Sequence, residues 1–286
     1  MMVIPGPLIR HQQLIITIYG LYSRDSDHAV TISALISMLG DLGYDAPGVR
    51  SSVSRLKAKG VLKSIKTGNG AKYRLSGSLT DVFTEGDRRI FAPVGPGEGD
   101  GWVLAIFSVP ESMRNRRHQL RTLLGGFGFG AMSAGVWIAP SSALERTRRQ
   151  LQAEGLDQFV DFFQGDHVDD GDMRAKVARW WDLPVLGADF REFLGLYSDG
   201  AKQWASRLEA NPVLGVANSS DELHRDAFRY YIPMLTLWRR FPYREPNLPQ
   251  EYLPPGWSGH AARTAFLEIH GLIAPLAAVH ARGLMG

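Results

Sequence analysis

Arg50, Ser51, Ser54, Arg55, Lys57 and Lys59 gather short hydroxyls and long cations into one segment. On a helix at 100° per residue, Val49, Val53 and Leu56 (i, i+4, i+7) make an inner face. Ser51, Ser54 and Arg55 fall opposite, flanked by Arg50, Lys57 and Lys59. That surface suits the major groove of double-stranded DNA. The serines are short enough to let the helix seat deeply. Arg55 can offer two parallel hydrogen bonds to a guanine edge, and the flanking cations meet phosphates.

The elements around this segment are those needed to hold it. Thr31 can cap a short helix whose stripe is Ile32, Leu35, Ile36 and Leu39, and residues 40–46 make a turn. The second helix runs from about Pro47 to Lys59 and stops at Gly60. Two β-type runs follow, 61–66 and 72–75, joined by Gly68-Asn69-Gly70. The pattern is that of a winged helix-turn-helix, with Lys66 and Lys72 on either side of the wing tip. An earlier stripe, Leu14, Ile15, Ile18, Leu21 and Tyr22, predicts the first helix of the same domain.

Charge supports this reading. Residues 1–80 hold 10 Lys and Arg against 4 Asp and Glu, a net of +6, whereas residues 81–286 hold 22 against 25, a net of −3. The basic excess is confined to the segment with the DNA-reading pattern. The chain has no cysteine, which excludes thiol nucleophiles, thiolate metal sites and disulfides. No leader-like opening and no uninterrupted run of 18 apolar residues is present, so the expectation is a cytoplasmic protein that does not enter membranes.

Residues 81–101 read as a connector, with a helical stretch at 80–91 and a Gly/Pro-rich tract at 93–101. From Trp102 the order is strand (102–107), helix capped by Ser112, strand near 135–138, helix capped by Ser141 or Ser142, and strand (159–163). This predicts a ferredoxin-like α+β sandwich over 102–172. Residues 173–286 read as a helical domain, with helices at 173–181, 189–209, 219–240 and 258–282 and a proline-punctuated connector at 242–255. Residues 1–80 complete a three-domain scheme of overall α+β class.

Other clusters carry less chemistry. Gly125 to Gly130 lacks both the spacing and the Lys-Ser/Thr of a phosphate loop, and fits a tightly packed strand. The acidic run Asp166, Asp169, Asp170 and Asp172 does not match a calcium loop. No nucleophile, base and orienting group assemble, so no enzyme activity, metal or cofactor is expected. Arg114, Arg116, Arg117, His118 and Arg121 crowd one helix. Phe228, Tyr230, Tyr231, Trp238, Arg239 and Arg240 combine aromatic rings with two guanidinium groups. Of these, Tyr231, Trp238, Arg239 and Arg240 are the expected binding residues for an aryl group carrying phosphate or carboxylate.

Taken together, the motifs resemble one family over nearly the whole chain. They are Val49 to Leu56 with the following wing, Trp102 to Glu111, Gly126-Phe127-Gly128, Gly135 to Pro140, Trp181-Asp182-Leu183, Trp238 to Phe241, Leu248-Pro249 and Leu253 to Trp257. The chain resembles the PaaX-type repressors of phenylacetic acid catabolism. The resemblance implies a homodimeric repressor on a palindromic operator, released by an aryl-CoA thioester such as phenylacetyl-CoA. One position departs. The middle domain is also similar to the small ferredoxin-like subunit of CRISPR adaptation complexes, where an Asp ends the first strand and can serve metal-dependent nuclease chemistry. Here that position is Ser108, a poor ligand for a hard cation. The competing readings are a metal-dependent nuclease on the middle domain and a CoA-thioester-processing enzyme.

Overall fold

The computed structural model describes residues 9–24, 29–67, 70–91, 101–168, 171–210 and 220–285, and only the backbone of 66, 67, 70 and 81. The described residues form helices and two antiparallel sheets, an α+β class. They fall into two compact units, each drawn from separate stretches of chain. One comprises 1–91, 192–239 and 260–286, the other 92–191 and 240–259.

In the first unit, α1 (His11–Tyr22), α2 (Ile32–Asp41) and α3 (Ala46–Ala58) pack through Leu14, Ile15, Ile18, Leu35, Met38, Leu39, Val49, Val53 and Leu56, all buried. The Thr31 hydroxyl accepts from the Ala34 N–H at 3.1 Å, as its cap spacing predicts. The cap of α3 is Asp45, whose carboxylate accepts from the Gly48 N–H at 3.0 Å. That hydrogen bond holds the Asp45 carboxyl below the ordinary carboxylate range. α3 ends in a Schellman motif. Gly60, at φ 72°, donates to the Lys57 carbonyl, and Val61 donates to that of Leu56.

The chain then enters β2 (Leu62–Thr67) and β3 (Gly70–Leu75), and the two-residue β1 (Val30–Thr31) pairs with β3 on its other side, giving the order β1-β3-β2. The tip at 68–69 lies outside the described residues. α4 (Thr80–Phe91) packs on α1 at Gly20. A Cβ there would come within 2.6 Å of the Phe83 ring, so only glycine permits the approach.

The C-terminal part of the chain contributes α9 (Gly200–Glu209), α10 (Asp221–Trp238) and α11 (Gly259–Met285). α10 meets α1 through a buried polar contact: the Thr17 hydroxyl lies 2.9 Å from that of Thr236 and accepts from Arg239 at 3.1 Å. α11 has 27 residues and is apolar enough on average to cross a membrane. It carries Arg263, Glu268 and Arg282, and its buried residues include Ala262, Phe266, Ile269, Ile273 and Ala281.

The second unit holds β4 (Trp102–Phe107), α5 (Arg114–Gly126), β5 (Gly130–Ala131), β6 (Val136–Pro140), α6 (Leu144–Glu154) and β7 (Val160–Gly165). Its strands run antiparallel in the order β5-β6-β4-β7. Val103, Ala105 and Phe107 face Leu120, Leu123 and Leu124 of α5 and Leu151 of α6. The opposite face carries Trp102, Leu104 and Ile138, against α7 (Met173–Trp180) and Leu248 and Leu253.

Three sequence expectations need correction here. Neither Ser112 nor the Ser141/Ser142 pair caps its helix by a side-chain bond. A single 3₁₀ turn after Pro110, and another after Pro140, leads into each helix instead. The helix expected at 189–209 is two, α8 (Leu183–Tyr197) and α9. α8 starts earlier because Asp182 accepts from Val185 at 3.3 Å, and the chain breaks before Gly200, where the Tyr230 hydroxyl leaves no room for a Cβ.

Candidate nucleic-acid interface

α3 is held by its buried side, Val49, Ser52, Val53 and Leu56, and by Gly48, where a Cβ would lie 2.5 Å from the His11 ring of α1. Its remaining side is open. Arg50, Ser51, Ser54, Arg55, Lys57 and Lys59 are all exposed, so the expected outer face comes together on one helix side. The last turn carries Arg55 and Lys57, a placement that also suits the negative end of the helix dipole.

The β2–β3 register adds residues that the sequence reading did not include. Lys63 pairs with Arg74 and Ile65 with Lys72, which places Lys63, Lys72 and Arg74 on one face of the hairpin. Lys66 pairs with Ala71 and belongs by register to the other face; its side chain lies outside what the structure describes. Counting the pairs outward from Thr67 and Gly70 would have exposed Lys63 and Arg74 from sequence. The same compact unit carries the exposed face of α3, rich in serines and cations, and a hairpin face bearing exposed Lys63 and half-buried Lys72 and Arg74. It can bind a polyanion and offers a guanidinium to base edges.

The residues expected to bind an effector do not form a second site of this kind. Tyr231 and Trp238 are fully buried. The Tyr231 hydroxyl meets His270 Nδ1 at 2.8 Å, and burial raises its pKa well above the usual phenol range. Trp238 stacks on Phe266 at 4.7 Å, and its indole N–H donates to the Ile90 carbonyl at 3.3 Å. Arg239 is turned to Thr17 and over the Phe83 ring. Arg240 is exposed and belongs to the other compact unit. The stripe is core. The Arg114–Arg121 cluster also disperses. Arg117 donates to the Val109 carbonyl at 2.8 Å and meets Glu111 at 3.0 Å, Arg116 reaches Gln119, and Arg121 lies over Trp137.

The glycine-rich segment has a packing role. The Trp181 indole N–H donates to the Gly128 carbonyl at 2.9 Å, and a Cβ on Gly130 would lie 2.6 Å from the Trp181 ring. Ser108 follows β4, exposed, with its backbone N–H donated to the Phe159 carbonyl at 3.2 Å. Among the described residues, no three His, Asp or Glu side chains come together as metal ligands would.

These observations define an α+β protein that presents a basic helix face beside a basic hairpin. The chain belongs to the PaaX-like family. Residues 10–79 match the PaaX-like protein model, residues 97–177 the PaaX protein central Cas2-like domain, and residues 181–283 the PaaX-like protein C-terminal domain. It is 25% identical over 268 residues to the transcriptional repressor PaaX of Escherichia coli K12, spanning 92% of this chain and 80% of that protein. The uncharacterized protein Rv0674 from Mycobacterium tuberculosis shares the fold, with a TM-score of 0.54 at 20% identity over 96% of this chain and 98% of that one.

Proposed function

We propose that this protein is a cytoplasmic transcriptional repressor of an aromatic-acid (phenylacetate-type) degradation operon, binding operator DNA as a homodimer and released by an aryl-CoA thioester. One observation carries the reading. α3 exposes Arg50, Ser51, Ser54, Arg55 and Lys57 along with the terminal Pro47 and Ala58, and its larger apolar residues Val49, Val53 and Leu56 are buried beneath them. We read α1–α3 with the β1-β3-β2 sheet as a winged helix-turn-helix, α3 being the helix that enters the major groove. Arg55 reads a base, while Arg50, Lys57 and Lys59 bind phosphates. Lys63, Lys72 and Arg74 of the hairpin add a second backbone contact.

The β5-β6-β4-β7 order, with helices following the first and third strands, supports a ferredoxin-like reading of the middle segment and a scaffold role in dimerisation. An effector acts by linkage, lowering operator affinity by its preference for the non-binding arrangement of the dimer. The test is selection of bound sequences from random duplex DNA by the full chain. A palindromic consensus with half-sites about one helical turn apart is expected. Recovery of no consensus overturns the reading.

The Cas2-like match favours a second reading, a metal-dependent nuclease. An exposed hydroxyl at Ser108 makes it the weaker of the two. Nicking of supercoiled plasmid by the purified protein with manganese would establish it instead.

A further inference from the structure

The second face of the four-stranded sheet is only partly covered. Register puts Leu104 of β4 opposite Ile138 of β6 and Phe163 of β7, with Trp102 on the same face. Trp102 stacks with Tyr252 at 5.9 Å and meets Trp180 and Trp181 edge-on or tilted at 6.4 and 6.3 Å. The Trp181 bond to Gly128 fixes that cluster. Beside it a cavity of about 650 Å³ remains open, floored by Trp102, Leu104, Ile138 and Phe163 and walled by Trp180. The volume lies within the range of small-molecule sites and far above that of packing voids. Phe163 is left 58% exposed in it, an aromatic ring without cover.

The rim of the cavity is charged. Lys176, Arg179 and Trp180 stand at i, i+3 and i+4 on α7, so one helix face brings an aromatic ring and two cations to the same opening. The Lys176 ammonium donates to His167 Nε2 at 3.0 Å, which holds its head at the rim. Gln164 and Asp166 also line it, so that among the described lining residues one carboxylate stands with two cations.

We propose that this cavity is a binding site for a small anion bearing a flat apolar group. The ring lies against Trp102, Phe163 and Trp180, and the carboxylate or phosphate meets Lys176 and Arg179. The inference deepens the ligand-responsive reading and rests on it for its regulatory consequence. Its test uses no DNA, so the two fail separately. An aryl carboxylate and an aryl-CoA thioester share this chemistry, and the titration distinguishes them.

The experiment is calorimetric titration of the full chain with phenylacetate, phenylacetyl-CoA and free CoA, with quenching of tryptophan fluorescence as a second readout. Arg179→Glu and Phe163→Gln are titrated alongside the parent. Both positions are exposed, and circular dichroism checks that both variants fold. The parent should bind at least one aryl probe, and each variant should bind that probe tenfold or more weakly. Three results overturn the site: no aryl probe binding to the parent, equal binding by parent and both variants, or variants that change oligomeric state while binding the probe as the parent does. The last would make this face a contact between copies of the chain. In each case operator binding by the parent would leave the DNA-binding reading standing.

Discussion

His280 of the last helix donates its Nε2 proton to the Asp41 carboxylate at 2.7 Å, tying α11 to the C-terminal end of α2. α2 is the helix directly before α3. The helices of the C-terminal segment therefore belong to the support of the basic face, as Thr17 and Thr236 do between α1 and α10. Arg225 of α10 approaches the same carboxylate at 3.6 Å, but it is 54% exposed, against 10% for His280. His280→Ala should lower unfolding stability by about 1–3 kcal/mol, because it strips a partner from a largely buried group. Arg225→Ala should cost about 0–1 kcal/mol. Urea titrations of both variants check the order; equal losses would remove Asp41–His280 as a structural tie.

His270 sits between Phe91, Phe266 and Tyr231, and burial holds its pKa below the ordinary 6.5. Between the folded and unfolded values the unfolded chain binds more protons. The stabilising effect of a neutral His270 is therefore complete above pH 6.5 and lost as pH falls through the lower folded value. The urea midpoint of the parent should fall between pH 7 and pH 5, and His270→Gln should lose part of that dependence. An identical pH profile in the variant would contradict this.

Gly130→Ala would put a Cβ 2.6 Å from the Trp181 ring and 2.9 Å from the Trp180 carbonyl. Overpacking against a ring fixed by the Gly128 carbonyl should cost about 1–3 kcal/mol. Thermal unfolding followed at the tryptophans should show a lowered midpoint. An unchanged midpoint would mean that Trp181 moves freely.

What was legible in the sequence follows from the range of each interaction. The Val49-Val53-Leu56 stripe, the Thr31 cap and the hairpin depend on neighbours within a few positions, so spacing alone reveals them. The break at Gly200 and the partners of Thr17 depend on chain arriving from far away. The aromatic run at 228–240 shows why a pocket cannot be read from composition. Tyr231 and Trp238 at i and i+7 present the same stripe to a ligand or to a core, and here Phe266 and His270 of α11 occupy that side. The cavity beside Trp102 was invisible for the converse reason. Its floor comes from three strands, and its cations come from a helix whose 176-179-180 spacing has no meaning until the sheet is assembled.

For the assembly, light scattering on the full chain should give twice the chain mass at micromolar concentration, as expected of a two-fold repressor. A strictly monomeric chain would require the operator to be read by two independently bound copies.

The most direct test of the central claim is fluorescence anisotropy of the parent, Arg55→Ala and Lys57→Ala on selected operator and on scrambled DNA of equal length, from 50 to 200 mM salt, concentrations over which phosphate contacts weaken steeply. Arg55→Ala should lose about 1–3 kcal/mol on the operator and little on scrambled DNA. Lys57→Ala should weaken both alike and flatten the salt slope by about one unit. Operator affinity unchanged in Arg55→Ala, with the parent still discriminating operator from scrambled DNA, would contradict the assignment of the outer face of α3 as the surface that reads sequence.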